Sequence, residues 1–247
     1  GTVVGPIVDF VYRYGFKIAM LILALVLIYR FSDLFMGSMA HSLYIDAGFT
    51  KFEIALYTKM FGVVMTFIGA FVGGILVIRF GVMRILLLGA VMIAVTTLLF
   101  SALALTGKST AMLIILIIGD NVSAGLATSA FIAYLSALVN RQYTATQYAL
   151  FSSLMLLSGK IFQGFGGGIV QSIGFAWFFS IAAISGIPTI LLILYLIKLK
   201  HVPKLPDEVL ESAKEKATEE PTRSSRGRVI LAYSVIPALL LGLSVLV

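Results

Sequence analysis

Seven apolar segments, each long enough to cross a lipid bilayer, limit most strongly what this chain can fold into. A transmembrane helix needs about 20 predominantly apolar residues. The 247-residue sequence supplies such runs at approximately 16–40, 54–78, 82–105, 111–139, 147–170, 175–197 and 229–247. We name these segments spans A to G in chain order. Because little sequence remains outside them, the pattern predicts an all-α, polytopic membrane protein.

The composition argues against several other classes of protein. Hydrophobic residues make up 60% of the chain and charged residues 12%, whereas soluble proteins have about 45–50% and about 25%. The sequence has no cysteine, and its two histidines, His41 and His201, lie far apart, so we expect neither a disulfide framework, nor a metal site, nor a cofactor. The net charge of +7 is typical of Lys and Arg retained in cytoplasmic loops, and we expect no nucleic-acid partner.

The distribution of Lys and Arg between the loops predicts the orientation of the spans. Thirteen of these residues lie on one side of the spans, eight of them in the polar segment 198–228, against only Lys51 and Lys108 on the other side. The richer side is expected to be cytoplasmic. The sequence then divides into a cytoplasmic lead-in (1–15), a six-helix bundle (16–197), a charged cytoplasmic linker (198–228) and an additional transmembrane helix (229–247). Because the chain begins at Gly1 and ends inside an apolar run, we expect it to be part of a longer protein.

An internal repeat relates the end of span B to the end of span E. The segment FVGGILVIRFG (71–81) resembles FGGGIVQSIG (165–174). Four residues of the first segment are identical to four of the second when the two are aligned without a gap: Phe71, Gly73, Gly74 and Ile75 with Phe165, Gly167, Gly168 and Ile169. Three spans separate the two copies, so the copies have opposite topology. This is the inverted three-plus-three arrangement found inside each half of certain transporters.

Past their first turns, the spans contain five charged residues, in positions where a charge is costly and usually functional. Arg30 and Asp33 in span A either pair on one helix or line a pathway, and the sequence does not decide between these alternatives. Lys59 lies near the start of span B, which favours snorkelling to the interface. Asp120 lies in a stretch of small and polar residues and is interpreted as a protonatable site, with a structural hydrogen bond as the alternative. Lys160, in the middle of span E, needs either an internal Asp or a ligand as its partner.

Spans C and F carry no charge beyond their first turns, so we expect them to face lipid while spans A, B, D and E surround a polar pathway. The pairs Gly69/Gly73 and Gly164/Gly168 have the spacing of close helix contacts. An enzyme is not expected, because only His41, Asp46 and Glu53 approach an active-site cluster and no nucleophile or metal-ligand spacing accompanies them. A signalling or structural membrane protein would not need Asp120 and Lys160 at such depth.

The connection between spans B and C resembles a signature of the major facilitator superfamily. The segment GILVIRFGVMR (74–84) fits the pattern G-x-L-A-D-R-x-G-R-R at Gly74, Leu76, Arg79, Gly81 and Arg84, while Ile78 replaces the acidic residue. The resemblance implies that Gly74, Arg79, Gly81 and Arg84 form a conformational motif. It also implies that spans A to F are the second six-helix half of a transporter, with a missing N-terminal half as partner.

Two longer segments, 29–55 and 120–154, look like the AmpG-type muropeptide permeases, and the likeness covers roughly residues 6–197. It implies proton-driven import of anhydro-muropeptides across the bacterial inner membrane, which feeds peptidoglycan recycling and β-lactamase induction. For such a cargo, Lys160 or Arg30 could bind peptide carboxylates, and Asp120 or Asp33 could carry the proton. The aromatic rings of Tyr134, Tyr148 and Phe151 could contact sugars or simply pack. An efflux or acyl-CoA-type permease of the same superfamily is the alternative.

Overall fold

The computed structural model describes residues 4–139 and 144–199, and the regular structure within these residues is entirely helical. Its α-helices are α1 (Val4–Tyr14), α2 (Phe16–Ile28), α3 (Phe31–Asp46), α4 (Lys51–Ile54), α5 (Gly62–Phe80), α6 (Val82–Thr106), α7 (Thr110–Leu138), α8 (Thr144–Gln163), α9 (Gly166–Ile184) and α10 (Ile187–Lys198). A π-helical segment, Ala55–Phe61, joins α4 to α5. The predicted all-α class is confirmed. The linker beyond residue 199 and span G lie outside the described residues.

Five segments of the described residues are long and apolar enough to cross a membrane: Phe16–Asp46, Lys51–Phe80, Val82–Thr106, Thr110–Leu138 and Gly166–Lys198. They contain the predicted spans A, B, C, D and F. Helix α8 occupies most of predicted span E, but Gln147, Lys160 and Gln163 make it more polar than the others. The prediction of an unbroken span E from 147 to 170 is wrong, because α8 ends at Gln163 and α9 begins at Gly166.

Two glycines with the same unusual backbone end the two copies of the repeat. Gly81 connects α5 to α6 with φ 86° and ψ 155°, and Gly174 interrupts α9 with φ 79° and ψ 166°. This conformation is essentially restricted to glycine, because a Cβ atom would clash with the backbone. Helix α9 therefore joins the end of span E to the start of span F through a turn at Gly174, where the sequence predicts the connection.

Helices α5 and α7 form the most extensive pair in the described bundle. Gly69 and Gly73 of α5 lie directly against the backbone of Val122 and Leu126 in α7, and a Cβ atom at Gly73 would come within 2.8 Å of the Leu126 Cα. Small residues let two helix backbones approach this closely. Later residues of α5 contact later residues of α7, so the two helices run parallel. The predicted packing role of Gly69 and Gly73 is confirmed.

Helix α8 makes the corresponding parallel pair with α3. Phe162 meets Phe31 edge to face at 5.2 Å between ring centroids, and the Gln163 side-chain amide donates a 2.7 Å hydrogen bond to the Leu34 carbonyl. The inverted repeat makes span A equivalent to span D and span B equivalent to span E. The contact between spans A and E is therefore equivalent to the contact between spans D and B, and the two parallel pairs are consistent with the repeat. Gly164 and Gly168, however, have no atom within 4 Å of a would-be Cβ, and their predicted packing role is wrong within the described residues.

Helix α6 packs against α7, α9 and α10. Its outward face carries an uninterrupted apolar stripe with three- and four-residue spacing, formed by Leu88, Val91, Val95 and Leu98. Span F has a similar stripe formed by Trp177, Ile181, Ile184 and Leu191. These faces suit contact with lipid. Nevertheless, α6 is also the most buried of the five apolar segments, so only one of its faces is free.

The lead-in, which sequence reasoning left without structure, forms helix α1 and docks on α8. Phe10 is buried against Phe151, with ring centroids 5.2 Å apart. The buried side chain of Gln147 donates a 2.8 Å hydrogen bond to the Pro6 carbonyl and accepts one from Arg13 at 3.4 Å. A buried amide with partners on a neighbouring helix fixes that helix more specifically than apolar packing alone.

Candidate functional site

A polar cavity of about 290 Å³ opens between α3, α7 and the π-helical segment. Its wall contains Asp33, Met36, Gly37, Ala40, His41 and Tyr44 from α3, Thr58 from the π-helical segment, Phe100 from α6, and Ile117, Asp120 and Asn121 from α7. The α3 residues recur with the three- and four-residue spacing of one helical face. The cavity brings together Asp33 and Asp120, the two acidic residues that the sequence placed within spans.

The side chain of Arg30 is occupied by contacts within the chain. A break between α2 and α3, with Arg30 at φ −104° and ψ 10°, directs its guanidinium towards α7. It forms an ion pair and hydrogen bond with Asp33, and its Nη1 donates a 2.6 Å hydrogen bond to the Thr128 hydroxyl. The pairing that the sequence allowed is therefore present, and because Asp33 also lines the cavity, the pathway alternative stays a prediction. The guanidinium is therefore not free to bind a cargo carboxylate in this conformation.

Asp120 has no such partner. Within the described residues its carboxylate makes neither an ion pair nor a side-chain hydrogen bond, although it lies close enough to Asp33 and Arg30 to interact electrostatically with both. Since Arg30 and Asp33 neutralise each other, Asp120 contributes one further acidic group to an otherwise apolar bundle. A carboxylate in such surroundings needs a proton, a cation or water to offset its desolvation.

Asn121 lies on the wall of the cavity and links α7 to α5. Its Nδ2 donates a 2.9 Å hydrogen bond to the Ile117 carbonyl, and its Oδ1 accepts a 3.0 Å hydrogen bond from the Thr66 hydroxyl of α5. The amide lies against Gly62, where a Cβ atom would come within 3.1 Å of Asn121 Nδ2. Asn121 thereby fixes α7, and with it Asp120, relative to α5.

Sequence reasoning missed four polar residues of the cavity: His41, Tyr44, Thr58 and Asn121. His41 lies just beyond predicted span A (16–40), but α3 extends to Asp46 and carries it on the face of Asp33. The spacing of Asp33, Gly37, Ala40 and Tyr44 could have revealed this face. Nothing in the sequence indicates the π-helical segment that presents Thr58.

Lys160 and Tyr148 do not line the cavity. Lys160 lies in the last turn of α8, is exposed, and makes no ion pair with any described residue. The helix is interrupted directly after Gln163, and the expected depth of Lys160 in the membrane stays a prediction. Tyr148 packs at the edge of the apolar cluster that contains Tyr134 and Phe151, and a contact of these rings with sugar stays a prediction.

The residues of the B–C motif lie at the turn between α5 and α6. Gly81 supplies the left-handed conformation, Arg79 and Arg84 are exposed on either side of it, and Gly74 has open space at its Cβ position. Arg79 stacks over the ring of Phe80 with its Cζ 5.7 Å from the centroid. Neither arginine has an acidic partner among the described residues, in keeping with Ile78 at the acidic position of the motif.

The loops at the opposite end of the bundle are joined by a small ionic contact. Glu53 forms a capping box with Thr50 at the start of α4 and an ion pair with Lys108 at 3.2 Å. Lys108 also lies over the ring of buried Phe49, 5.5 Å from its centroid. His41, Asp46 and Glu53 therefore do not form one cluster, since His41 lines the cavity and Glu53 caps a helix.

Comparisons with known proteins agree with this geometry. The chain is 33% identical over 195 residues to a protein of Rickettsia conorii named "Putative transporter AmpG 4", covering 79% of this chain and 46% of the relative. A Rickettsia felis protein of the same name is 32% identical over 201 residues, covering 81% and 48%. The "Anhydromuropeptide permease" of Escherichia coli K12 is 31% identical over 195 residues, covering 78% and 39%. The chain thus spans less than half the length of these relatives.

The family itself follows from a match along nearly the whole sequence. The sequence profile described as "Major Facilitator Superfamily" matches residues 3–247. The apolar spans, the glycine turn at the B–C motif and the paired parallel helices are what that match predicts. The chain belongs to the major facilitator superfamily.

Proposed function

We propose that the chain forms one half of a secondary transporter that imports anhydro-muropeptides across the bacterial inner membrane. The observation that carries transport is the cavity, because two carboxylates and an arginine in an otherwise apolar bundle are the usual mark of a substrate or proton pathway. The cargo is suggested by the printed name of the E. coli relative. In this role the protein serves peptidoglycan recycling and β-lactamase induction.

The size of the cavity fits a site shared between two halves. About 290 Å³ is at the lower limit of ordinary ligand pockets, which hold about 300–1,000 Å³, and a disaccharide peptide needs more. Transporters of this kind bind their substrate near the midplane, between repeats. We therefore assign this cavity to one wall of the site and the opposite wall to an N-terminal half that precedes these spans.

The proposed division of roles follows the contacts. Asp120 carries the coupled proton, with Asp33 as the alternative; Arg30 holds Asp33 in place; and exposed Lys160 remains available to a cargo carboxylate at the surface that faces the other half. Gly74, Arg79, Gly81 and Arg84 act at the turn that moves during the transport cycle. Residues 1–15 and 198–228 are assigned to the cytoplasm and 229–247 to an additional span.

Uptake by the full-length protein in proteoliposomes tests the proposal. Labelled anhydro-muropeptide should accumulate when the outside is acidic, and a protonophore should abolish the accumulation. Binding or uptake of an acyl-CoA, or export of the muropeptide under the same gradient, would favour the alternative permease. Vesicles that show no transport of any of these solutes would contradict the proposed function.

A further inference from the structure

The π-helical segment Ala55–Phe61 is the one irregularity in span B, and it borders the polar cavity. π-Helical turns are rare in proteins and occur mostly at functional sites. On its C-terminal side, α5 is held against α7 by the glycine contacts at Gly62, Gly69 and Gly73. Because α5 is fixed on that side, a change in the π-helical segment moves the residues within it and before it, including Thr58 and Lys59.

Thr58 and Lys59 face different surroundings in the present conformation. Thr58 lines the same cavity as Asp120, and its hydroxyl donates a 2.7 Å hydrogen bond to the Ile54 carbonyl. Lys59 is exposed outside the cavity and has no ion-pair partner among the described residues. One residue of helix rotation thus separates the Lys59 ammonium, which has no counter-ion among the described residues, from the cavity wall that carries Asp120.

The geometry of a π-turn determines how the helix moves when the turn converts to α-helix. Such a turn holds one residue more than an α-turn, so each residue on its N-terminal side occupies the place that its successor would take in a continuous α-helix. With α5 fixed, conversion to α-helix rotates the N-terminal side by about 100° and shifts it by about 1.5 Å. Because Lys59 lies inside the segment, it rotates by part of this angle, towards the present place of Thr58 on the wall of the cavity.

We propose that Lys59 is a further residue of the transport site, exchanged with Thr58 by a change of helix register. The proposal rests on the proposed function, because it gives Asp120 two alternative neutralising partners: a proton in the π-helical register and the Lys59 ammonium in the α-helical register. The other titratable or charged groups at the cavity are Asp33, which Arg30 already pairs, and His41 and Tyr44. Lys59 replaces the proton once Asp120 has released it, and thereby links deprotonation to a movement of span B.

Deletion of Met60 from the full-length protein tests the register argument directly. The deletion removes the extra residue of the π-turn, so the helix becomes continuous while Thr58 and Lys59 keep their present places. The variant should insert and fold with a thermal midpoint close to that of the wild type, and gradient-driven uptake should fall at least about tenfold. The matched control deletes Ile68 from the α-helical part of the same span, which turns the preceding helix away from its contacts and should prevent folding. A Met60 deletion that fails to fold, or that transports normally, would overturn the proposal.

A double-mutant cycle on uptake tests the partner of Lys59. Lys59→Gln should reduce gradient-driven uptake in the wild-type background and have little further effect in Asp120→Asn, because the pairing is already lost there. Lys51→Gln, a change of an exposed lysine eight residues earlier in the sequence, should leave uptake unchanged. If the effects of Lys59→Gln and Asp120→Asn on uptake are additive, the pairing of Lys59 with Asp120 is refuted, but the proposed function is not. If Asp120→Asn leaves uptake unaffected, the proton site of the proposed function is refuted.

Discussion

Asp33 and Asp120 lie on the wall of the same cavity, yet only Asp33 has a guanidinium partner. Asp33 is paired with Arg30, three residues before it on the same span, whereas Asp120 comes from α7 and has no counter-ion among the described residues. Two chemically identical side chains in one cavity therefore have different surroundings. In the proposed function, the ion pair holds Asp33 in place and Asp120 carries the proton.

The Arg30–Asp33 pair should be a structural element. Both side chains are largely buried, with exposed fractions of 18% and 14%, and removal of one partner from a buried pair costs about 3–5 kcal/mol. Arg30→Met should therefore lower the thermal midpoint in detergent, and Arg30→Met combined with Asp33→Asn should recover part of the loss. If Arg30→Met proved as stable as the wild type, the pair would have no structural role.

Substitution of Asp120 should uncouple transport from the proton gradient. Asn keeps the size of the side chain but cannot gain or release a proton, so Asp120→Asn should impair gradient-driven uptake while cargo exchange at equal pH is less affected. The measurement compares both modes in the same proteoliposomes. Unchanged gradient-driven uptake would exclude Asp120, and the same result for Asp33→Asn would exclude a proton site in these spans.

Lys160 should matter for cargo and not for folding. Because it is exposed and has no internal ion pair among the described residues, Lys160→Met should insert normally, and no second change of an Asp should be needed for stability. If the ammonium binds a peptide carboxylate, affinity for acidic muropeptides should fall about tenfold or more, with Lys51→Met as a control that has no effect. An equal loss for a cargo without peptide carboxylates would argue against this contact.

The contact between α5 and α7 should tolerate no side chain at Gly69. A Cβ atom there would overlap the Val122 carbonyl oxygen, which belongs to rigid backbone, and overpacking of this kind costs about 1–3 kcal/mol. Gly69→Ala should lower the unfolding midpoint, while Gly74→Ala in the same helix, with nothing within 4 Å of its Cβ position, should not. Equal unfolding midpoints for the two variants would mean that α5 and α7 can move apart without a loss of stability.

The turn at Gly174 should depend on its backbone conformation. Its φ of 79° lies in a region that costs other residues roughly 1–3 kcal/mol, so Gly174→Ala should destabilise the bundle although no neighbouring atom obstructs the added methyl group. Gly167→Ala, in the first turn of the same helix and equally unobstructed, is the control and should be neutral. Thermal unfolding of both variants, measured in one detergent, would show whether the strain exists.

Local sequence features predicted much of the fold. The length and apolar character of the runs predict the helices, and the bounds of the spans predict the connections that contain Gly81 and Gly174. The spacing of Arg30 and Asp33 allowed the pair that the structure shows. These predictions depend on residues within a few turns of one another, so one sequence contains the information needed for them.

Tertiary structure decided which of the buried charges meet. Asp120 joins Asp33 because α7, which packs against α5 through glycines, lines the cavity together with α3, whereas Lys160 lies on α8 and does not line it. The π-helical segment that presents Thr58 has no sequence signal, since its extra residue is accommodated by contacts on either side of it. The sequence alone determined the spans, their polarity and their turns, which follow from local hydrophobicity and backbone sterics. The composition of the cavity was decided by the packing of distant helices, which no local pattern specifies.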